Sequence, residues 1–308
     1  MHFFKFYFLL INLSGFNILF AQNYQAINGS SYAGSLAVGN NPAAIVNVPF
    51  GWDVTPISIQ TKQATNGILI DNYSLLSSPA NAQVTVKNGD KKWFAFTNQD
   101  IHLLNTRINI NARSAIGFGA NIRNYVYVTG SQANYQDSIQ TLADFLTLNI
   151  NHRPLSAETA FSTWAELYGT YAQTIYDDGT RRVNAGITLK LDRDLAGGYG
   201  KAQGLNYIRN NTNNTAPSYL LTDGSLKYGY SSNFDTIDSN KTFNANRKIF
   251  VQRSNSSLSA DFGFEYTLLA DDAAEDANDF AYKTKIGVSL MDVGRNKYKY
   301  GYRSRQGP

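Results

Sequence analysis

The chain of 308 residues contains no cysteine and only 3 histidines. Without cysteine, neither a disulfide framework nor thiol catalysis is available. Once an N-terminal leader is removed, His102 and His152 are the histidines that remain. They are too few and too far apart in sequence to form a metal cluster of the usual kind. We therefore predict no metal site and no cofactor.

Signatures of catalysis are also scarce. The sequence has no Gly-x-Ser-x-Gly elbow, and the glycine-rich run at 196–202 lacks the spacing and the hydroxyl residue of a phosphate loop. The neighbouring carboxylates Asp177 and Asp178 belong to an Asp-Asp-Gly-Thr turn, where such residues are ordinary. The sequence therefore predicts a protein that is not an enzyme.

Charge is sparse, with 16% charged residues and a formal net charge of +4. The positive residues are dispersed, which argues against a nucleic-acid partner. The one long apolar run, 6–20, follows Lys5 and ends at Phe20-Ala21, which predicts a signal peptide over residues 1–21. The alternative is an N-terminal membrane anchor. No later stretch approaches 18 apolar residues, so we expect no transmembrane helix in the mature chain.

Aromatic residues are plentiful, with 20 tyrosines and 18 phenylalanines, and apolar residues alternate with polar ones over long segments. The clearest case is 183–191, where Val183, Ala185, Ile187, Leu189 and Leu191 share one face of a strand. Asn184, Gly186, Thr188 and Lys190 occupy the other face. This pattern is typical of a solvated antiparallel sheet, or of a membrane barrel with a wet interior.

The same segregation recurs along the chain, and we count about ten candidate strands. Short turns at 111–113 and 177–180 are separated by long connections predicted at 129–160 and 196–218, as in outer-membrane barrels. We therefore predict an all-β fold, an antiparallel transmembrane β-barrel. The alternative is a secreted soluble β-sandwich binding module. Candidate strands of roughly 12 to 15 residues are long for a sandwich.

Charged residues collect on the strand face opposite the apolar one. A wet lumen can hold such charges in pairs, whereas an unpaired charge in a dry core would cost several kcal/mol. These side chains are either the lining of a polar channel or the filling of a plugged lumen that only fixes strand register. The predicted lumen-facing residues are Arg107, Arg123, Glu166, Lys190, Asp261, Glu265 and Lys285.

Four segments resemble a Bacteroidota family of outer-membrane β-barrel proteins of unknown function. They are Asn-Pro-Ala-Ala at 41–44, Ala-Gly-Ile-Thr-Leu-Lys at 185–190, Ala-Asp-Phe-Gly-Phe-Glu-Tyr at 260–266 and Lys-Ile-Gly-Val-Ser-Leu-Met-Asp-Val-Gly at 285–294. The element Asn41, Pro42 and Ala43 is also similar to one in long-chain fatty-acid transporters and in type IX secretion barrel proteins. That resemblance implies that residues 22–49 fold into the barrel as a hatch. The alternative is that Asn41 and Pro42 merely begin a turn or a short helix.

Together these observations predict three regions: the signal peptide at 1–21, the hatch-like segment at 22–49 and a β-barrel domain at 50–308. The polar end 303–308 lacks the terminal aromatic residue of such barrels, so we expect an incomplete barrel, truncated at the C-terminus. The predicted function is a channel, a transporter or a surface scaffold in the outer membrane. The expected partners are membrane lipid, the barrel-insertion machinery and an unidentified small hydrophobic ligand or secretion partner.

Overall fold

The computed structural model describes residues 29–71, 83–210, 218–270 and 281–305. The predicted signal peptide and residues 22–28 of the hatch-like segment lie outside these ranges. Ten strands and two α-helices follow two short 3-10 helices, Gly34–Gly39 and Pro42–Ile45. In chain order they are β1 (Trp52–Thr65), β2 (Ile68–Asp71), β3 (Gln83–Val86), β4 (Gly89–Asn111), β5 (Ser114–Tyr135), α1 (Leu142–Leu148), β6 (Leu155–Asp177), β7 (Arg181–Asn210), β8 (Ser218–Tyr230), α2 (Phe243–Gln252), β9 (Asn255–Leu269) and β10 (Tyr282–Gly294).

Eight strands form one antiparallel sheet that is curled into a half-barrel. Its order is β1-β4-β5-β6-β7-β9-β10, with β8 paired to β7. The edges β1 and β10 do not pair with each other within the described ranges. The remaining strands, β2 and β3, form a two-stranded ribbon of their own. The prediction of an all-β antiparallel fold is confirmed, and the described wall is open.

Several strands are longer than the sequence predicts. The predicted connection at 129–160 contains the end of β5 and the start of β6, and the predicted loop at 196–218 is largely the second half of β7. These predictions were wrong because the glycine-rich and asparagine-rich run after Ala196 has little alternation, yet its backbone pairs with β8. Pairing with a neighbour outweighed the weak local pattern.

β8 and β9 together occupy one place in the wall. β7 pairs with β9 from Arg181 to Asp194, and with β8 from Gly198 onward. The two strands are therefore halves of a single discontinuous strand. Residues 231–254, which we call the β8–β9 insertion, leave the wall between these halves and contain α2. A short 3-10 helix, Ser232–Thr236, begins this insertion.

The two faces of the half-barrel differ sharply in chemistry. On the lower half of β7, by which we mean residues 181–194, Asn184, Thr188 and Lys190 are buried on the concave face, while Leu189 on the convex face is 64% exposed. Because successive side chains of a strand point to opposite faces, each strand contributes to both surfaces. Other exposed apolar residues on the convex face include Leu104, Ile108, Phe118, Leu167, Leu191, Leu258, Phe262, Phe264, Ile286, Val288 and Leu290.

The tight turns lie at one end of the strands, which they share with the longer connection from Leu269 to Tyr282. The tight turns after Asn111 and Asp177 lie side by side, since the amide of Thr174 donates to the carbonyl of Arg113 at 2.8 Å. The connection between β5 and β6, with α1, lies at the opposite end of the strands, as does the one between β7 and β8. Among the described residues, no helix is long and apolar enough to cross a membrane.

Candidate functional site

All seven predicted lumen-facing residues lie on the concave face. Arg107, Arg123, Glu166, Lys190, Asp261 and Glu265 are buried there, and the Lys285 side chain is 13% exposed. The structure brings Arg123, Glu166, Lys190 and Asp261 together. Arg107 lies apart from these four, and the Glu265–Lys285 pair lies in a third place. Side chains alternate regularly between the two faces along β5, β6, β7 and β9, so these four residues share one face of the sheet.

The four central residues belong to a larger cluster of ion pairs, which we call the charge network. Its members are Asp100, Arg123, Glu166, Lys190, Asp261 and Asp292. Lys190 Nζ lies 2.7 Å from Asp261 and 2.5 Å from Asp292. Arg123 lies 2.8 Å from Asp292 and 3.0 Å from Glu166. Asp292 therefore joins the two cations, and the network links β4, β5, β6, β7, β9 and β10.

Asp292 reaches this network through an irregularity in β10. Leu290 pairs with Phe262 and Val293 pairs with Ala260, so two residues of β10 oppose the single residue Asp261. Such a bulge reverses the facing of the residues that follow it. Asp292 has a positive φ of 55°, which is uncommon for a residue other than glycine. Its amide donates to Asp261 Oδ1 at 2.6 Å, which fixes the bulge to the network.

Neutral polar groups surround Glu166. The indole nitrogen of Trp164 donates to Glu166 Oε1 at 2.8 Å, and the Asn121 amide donates to Oε2 at 3.1 Å. Asn121 in turn contacts the His102 ring at 2.8 Å. These contacts hold the buried carboxylate, which also pairs with Arg123, so its negative charge is compensated within the protein.

Sequence reasoning missed Asp100, Asp192, Asp194 and Asp292. Asp192 accepts a hydrogen bond from Ser259 at 2.6 Å, and Asp194 accepts one from Ser257 at 3.0 Å. A signal for Asp192 and Asp194 was present, because they continue the even-numbered row of Lys190. No such signal exists for Asp292, since strict alternation from Leu290 places it on the apolar face.

Arg107 serves a different part of the concave face. Its Nε donates to the carbonyl of Ile45 at 2.5 Å and its Nη1 donates to that of Phe50 at 2.7 Å. Asp53 lies 3.7 Å from the same guanidinium. Arg107 is therefore fully buried against residues 29–49, which we call the N-terminal segment.

Glu265 and Lys285 form the remaining pair, 3.1 Å apart, beside the N-terminal segment. The side-chain Nδ2 of Asn184 also donates to Glu265 Oε1, at 3.3 Å. A cavity of about 220 Å³ lies here between Asn41, Glu265 and Lys285. Because Lys285 belongs to the open edge strand β10, this ion pair lies at the rim of the described wall.

The N-terminal segment is seated on glycines of the sheet. A Cβ on Gly186 would lie 2.5 Å from the Pro42 carbonyl carbon, and one on Gly263 would overlap the Asn41 side chain. Gly186 and Gly263 are direct partners across β7 and β9. Their missing side chains therefore leave the space that Asn41, Pro42 and Ala43 occupy.

Apolar packing holds the rest of this segment. Ala37, Val38 and Ile45 are buried in one cluster with Ala115 of β5 and Tyr168 of β6. Full burial of a valine or isoleucine side chain stabilises a fold by about 1.5–3 kcal/mol. The N-terminal segment is consequently an integral part of the concave face, next to the charge network.

The charge network can attract or hold charge, and it contains more carboxylates than cations. Four carboxylates, Asp100, Glu166, Asp261 and Asp292, face two cations, Arg123 and Lys190, so its formal charge is −2. No group of three His, Cys, Asp or Glu side chains with metal-binding geometry occurs in the ranges that the structure describes. The arrangement suits cross-strand pairing and a polar interior with an excess of negative charge.

A family model described as a family of unknown function (DUF5723) matches residues 42–306. Searches of curated proteins and of solved structures returned no match. The matched range begins at Pro42 of the N-terminal segment and includes β1 to β10, and hence every member of the charge network. Because it covers most of the chain, this chain belongs to the DUF5723 family.

Proposed function

We propose that the chain builds the wall of an outer-membrane β-barrel whose polar interior is a channel closed by the N-terminal segment. The observation that carries the proposal is the inverted distribution of polarity. Isoleucine, leucine and phenylalanine side chains cover the convex face, while Arg107, Lys190 and Asp261 are buried on the concave face. A soluble sheet would place its charges in water and its apolar face in a core.

The dimensions of the strands support this proposal. A strand tilted by about 45° crosses a bilayer in about 9–11 residues. β4, β5, β6 and β7 are 23, 22, 23 and 30 residues long, so each is long enough to cross and to extend beyond the lipid. The tight turns after β4 and β6 lie at one end and the longer connections after β5 and β7 at the other, as is typical of these barrels. The connection between β9 and β10 departs from this pattern.

The seating of the N-terminal segment supports its role as a hatch. It occupies the concave face beside the tight-turn end of β7 and β9, where Pro42 lies over Gly186. A segment in that place would obstruct a pore along the barrel axis. The similarity of Asn41, Pro42 and Ala43 to the hatch of fatty-acid transporters and type IX secretion barrels gives the same role, and leaves the cargo open between a small hydrophobic ligand and a secreted partner.

The proposal is tested by fractionating cells that produce the protein, followed by electrophoresis with and without heating. We expect the mature chain in the outer-membrane fraction, and a faster-migrating band when the sample is not boiled. Recovery as a soluble periplasmic or secreted protein that refolds without detergent would favour the β-sandwich alternative. The hatch is tested separately by deleting residues 22–49, which should raise single-channel conductance in planar bilayers.

A further inference from the structure

The β8–β9 insertion lies on the convex face of the wall. Arg193 alternates with Asp192 and Asp194, which are buried on the concave face, so its side chain points outward. Its Nη2 donates to the carbonyl of Val251 at 2.7 Å, at the end of α2. The ring of Phe234 also packs between Phe161 of β6 and Phe250 of α2, with centroid distances of 6.4 and 5.3 Å.

The insertion lies next to the end of the outward apolar row 183–191. Leu189 and Leu191 are the last large apolar residues of the outward row on the lower half of β7, and Arg193 is the next residue of that row. Leu258 of β9, which is 75% exposed, is the cross-strand partner of Leu191. The proposed function places this row in lipid, so α2 lies at the level of the headgroups, on the side of the connection between β5 and β6.

The exposed surface of the insertion combines apolar and basic side chains. Phe243 is 79% exposed and Val251 is 40% exposed. Arg247 is spaced four residues from each, so the three share one face of the helix. Lys248 and Arg253 are exposed as well, and neither they nor Arg247 form an ion pair with any residue in the described part of the chain.

We propose that the β8–β9 insertion is an interfacial anchor that binds the phosphates of anionic lipid headgroups in the adjacent leaflet. This inference rests on the proposed function. A short helix with aromatic and basic residues lies in the membrane interface when its apolar side chains enter the acyl boundary and its cations reach the headgroups. The unpaired cations argue for anionic lipid as the occupant of this surface, because lipid phosphates supply the missing counter-charges.

The inference is tested in vesicles with the full mature chain, whose lack of cysteine allows single labelling sites. A fluorescent label is placed at Asn244→Cys on α2 or at Leu189→Cys on the convex face. Quenching is compared between nitroxide lipids that carry an anionic or a zwitterionic headgroup. We expect equal quenching by both lipids at Leu189→Cys. At Asn244→Cys we expect a preference for the anionic lipid of roughly fivefold or more, the effect of one or two cations near such a surface.

Charge variants separate a specific site from general attraction. Replacing Arg247 and Lys248 by glutamine in the Asn244→Cys chain should abolish the preference. The matched control replaces Lys92 and Arg209, exposed residues of β4 and β7, by glutamine and should leave it intact. A label at Asn244→Cys that shows no preference or no quenching, with Leu189→Cys quenched, would overturn the anchor and leave the membrane wall standing. An unquenched label at Leu189→Cys would overturn the proposed function itself.

Discussion

Asn41 Nδ2 donates a hydrogen bond to the carbonyl oxygen of Phe264 at 3.0 Å, between residues 223 positions apart. The Oδ1 of the same side chain accepts from the amide of Ala43 at 3.0 Å and so begins the 3-10 helix at Pro42. One asparagine therefore shapes the N-terminal segment and attaches it to the wall. The sequence left open whether Asn41 and Pro42 only start a short helix, and the structure shows that they do so while in contact with β9.

Gly186→Val should displace the N-terminal segment. A side chain at this position would meet the Pro42 carbonyl carbon and the Ala43 nitrogen at 2.5 and 2.6 Å, and backbone atoms cannot give way as a flexible side chain can. We expect the segment to become sensitive to added protease, and bilayer conductance to rise, with heat-modifiable migration of the barrel retained. Limited proteolysis and single-channel recording measure these effects.

Gly169→Val is the matched control for this substitution. A Cβ on Gly169 of β6 meets nothing within 4 Å, so the same change in residue type has space. Protease sensitivity and conductance should stay those of the unmodified chain. Equal behaviour of the Gly186 and Gly169 variants would contradict the seating of Pro42 as the cause of closure.

Lys190→Met should destabilise the barrel by about 3–5 kcal/mol, because it leaves the fully buried Asp261 carboxylate without its cation. Asp261→Asn should also destabilise the barrel, and the double variant should lose less than the sum of the two. A coupling energy of about 2–3 kcal/mol is expected for a buried pair. Denaturant unfolding in lipid vesicles supplies the four free energies of this double-mutant cycle.

An exposed ion pair in the same sheet serves as the comparison. Lys201 and Glu158 lie 3.5 Å apart with side chains 37% and 51% exposed. Their coupling energy should stay below about 1 kcal/mol, because solvent screens such pairs. If the two cycles gave the same coupling, burial of the charge network would have no energetic consequence and its structural role would be refuted.

The turn between β6 and β7 should keep its order to unusually low pH. The Arg181 amide, then the Tyr176 hydroxyl and the Thr180 amide, donate to Asp178 and lower the pKa of its carboxyl below the usual 3.8. The ionised form therefore contributes to stability fully above that usual value, and the contribution is lost as pH falls through the lower folded pKa. Carboxyl carbon NMR of labelled aspartate, assigned with Asp178→Asn, would show this; a titration midpoint at or above 3.8 would contradict it.

Much of the wall could be predicted because period-two alternation is a local property of the sequence. The apolar row at 183–191 and the charged residues opposite it lie on the two faces that the pattern predicted. Arg107, Arg123 and Asp261 follow the same rule. Each such prediction needs only the parity of one strand, which pairing with its neighbours does not alter.

The rest depended on contacts between distant segments. Asp292 faces inward because of a bulge opposite Asp261, and no local signal marks that extra residue. The sequence also has no local signal for the interruption of the wall between β8 and β9, because the parts of β7 with which they pair define it. The contact between Pro42 and the sheet depends on two glycines, Gly186 and Gly263, that are far apart in sequence and adjacent only because β7 pairs with β9.

The central claim is that the convex face meets lipid, and a nitroxide scan of residues 183–191 in vesicles tests it most directly. One cysteine at a time is introduced into the cysteine-free chain, and collision with oxygen is compared with collision with a water-soluble nickel complex. We predict oxygen-dominated relaxation at Val183, Ala185, Ile187, Leu189 and Leu191, with low accessibility to both reagents at the even positions between them. Nickel-dominated relaxation at the odd positions would place that face in water and contradict the account.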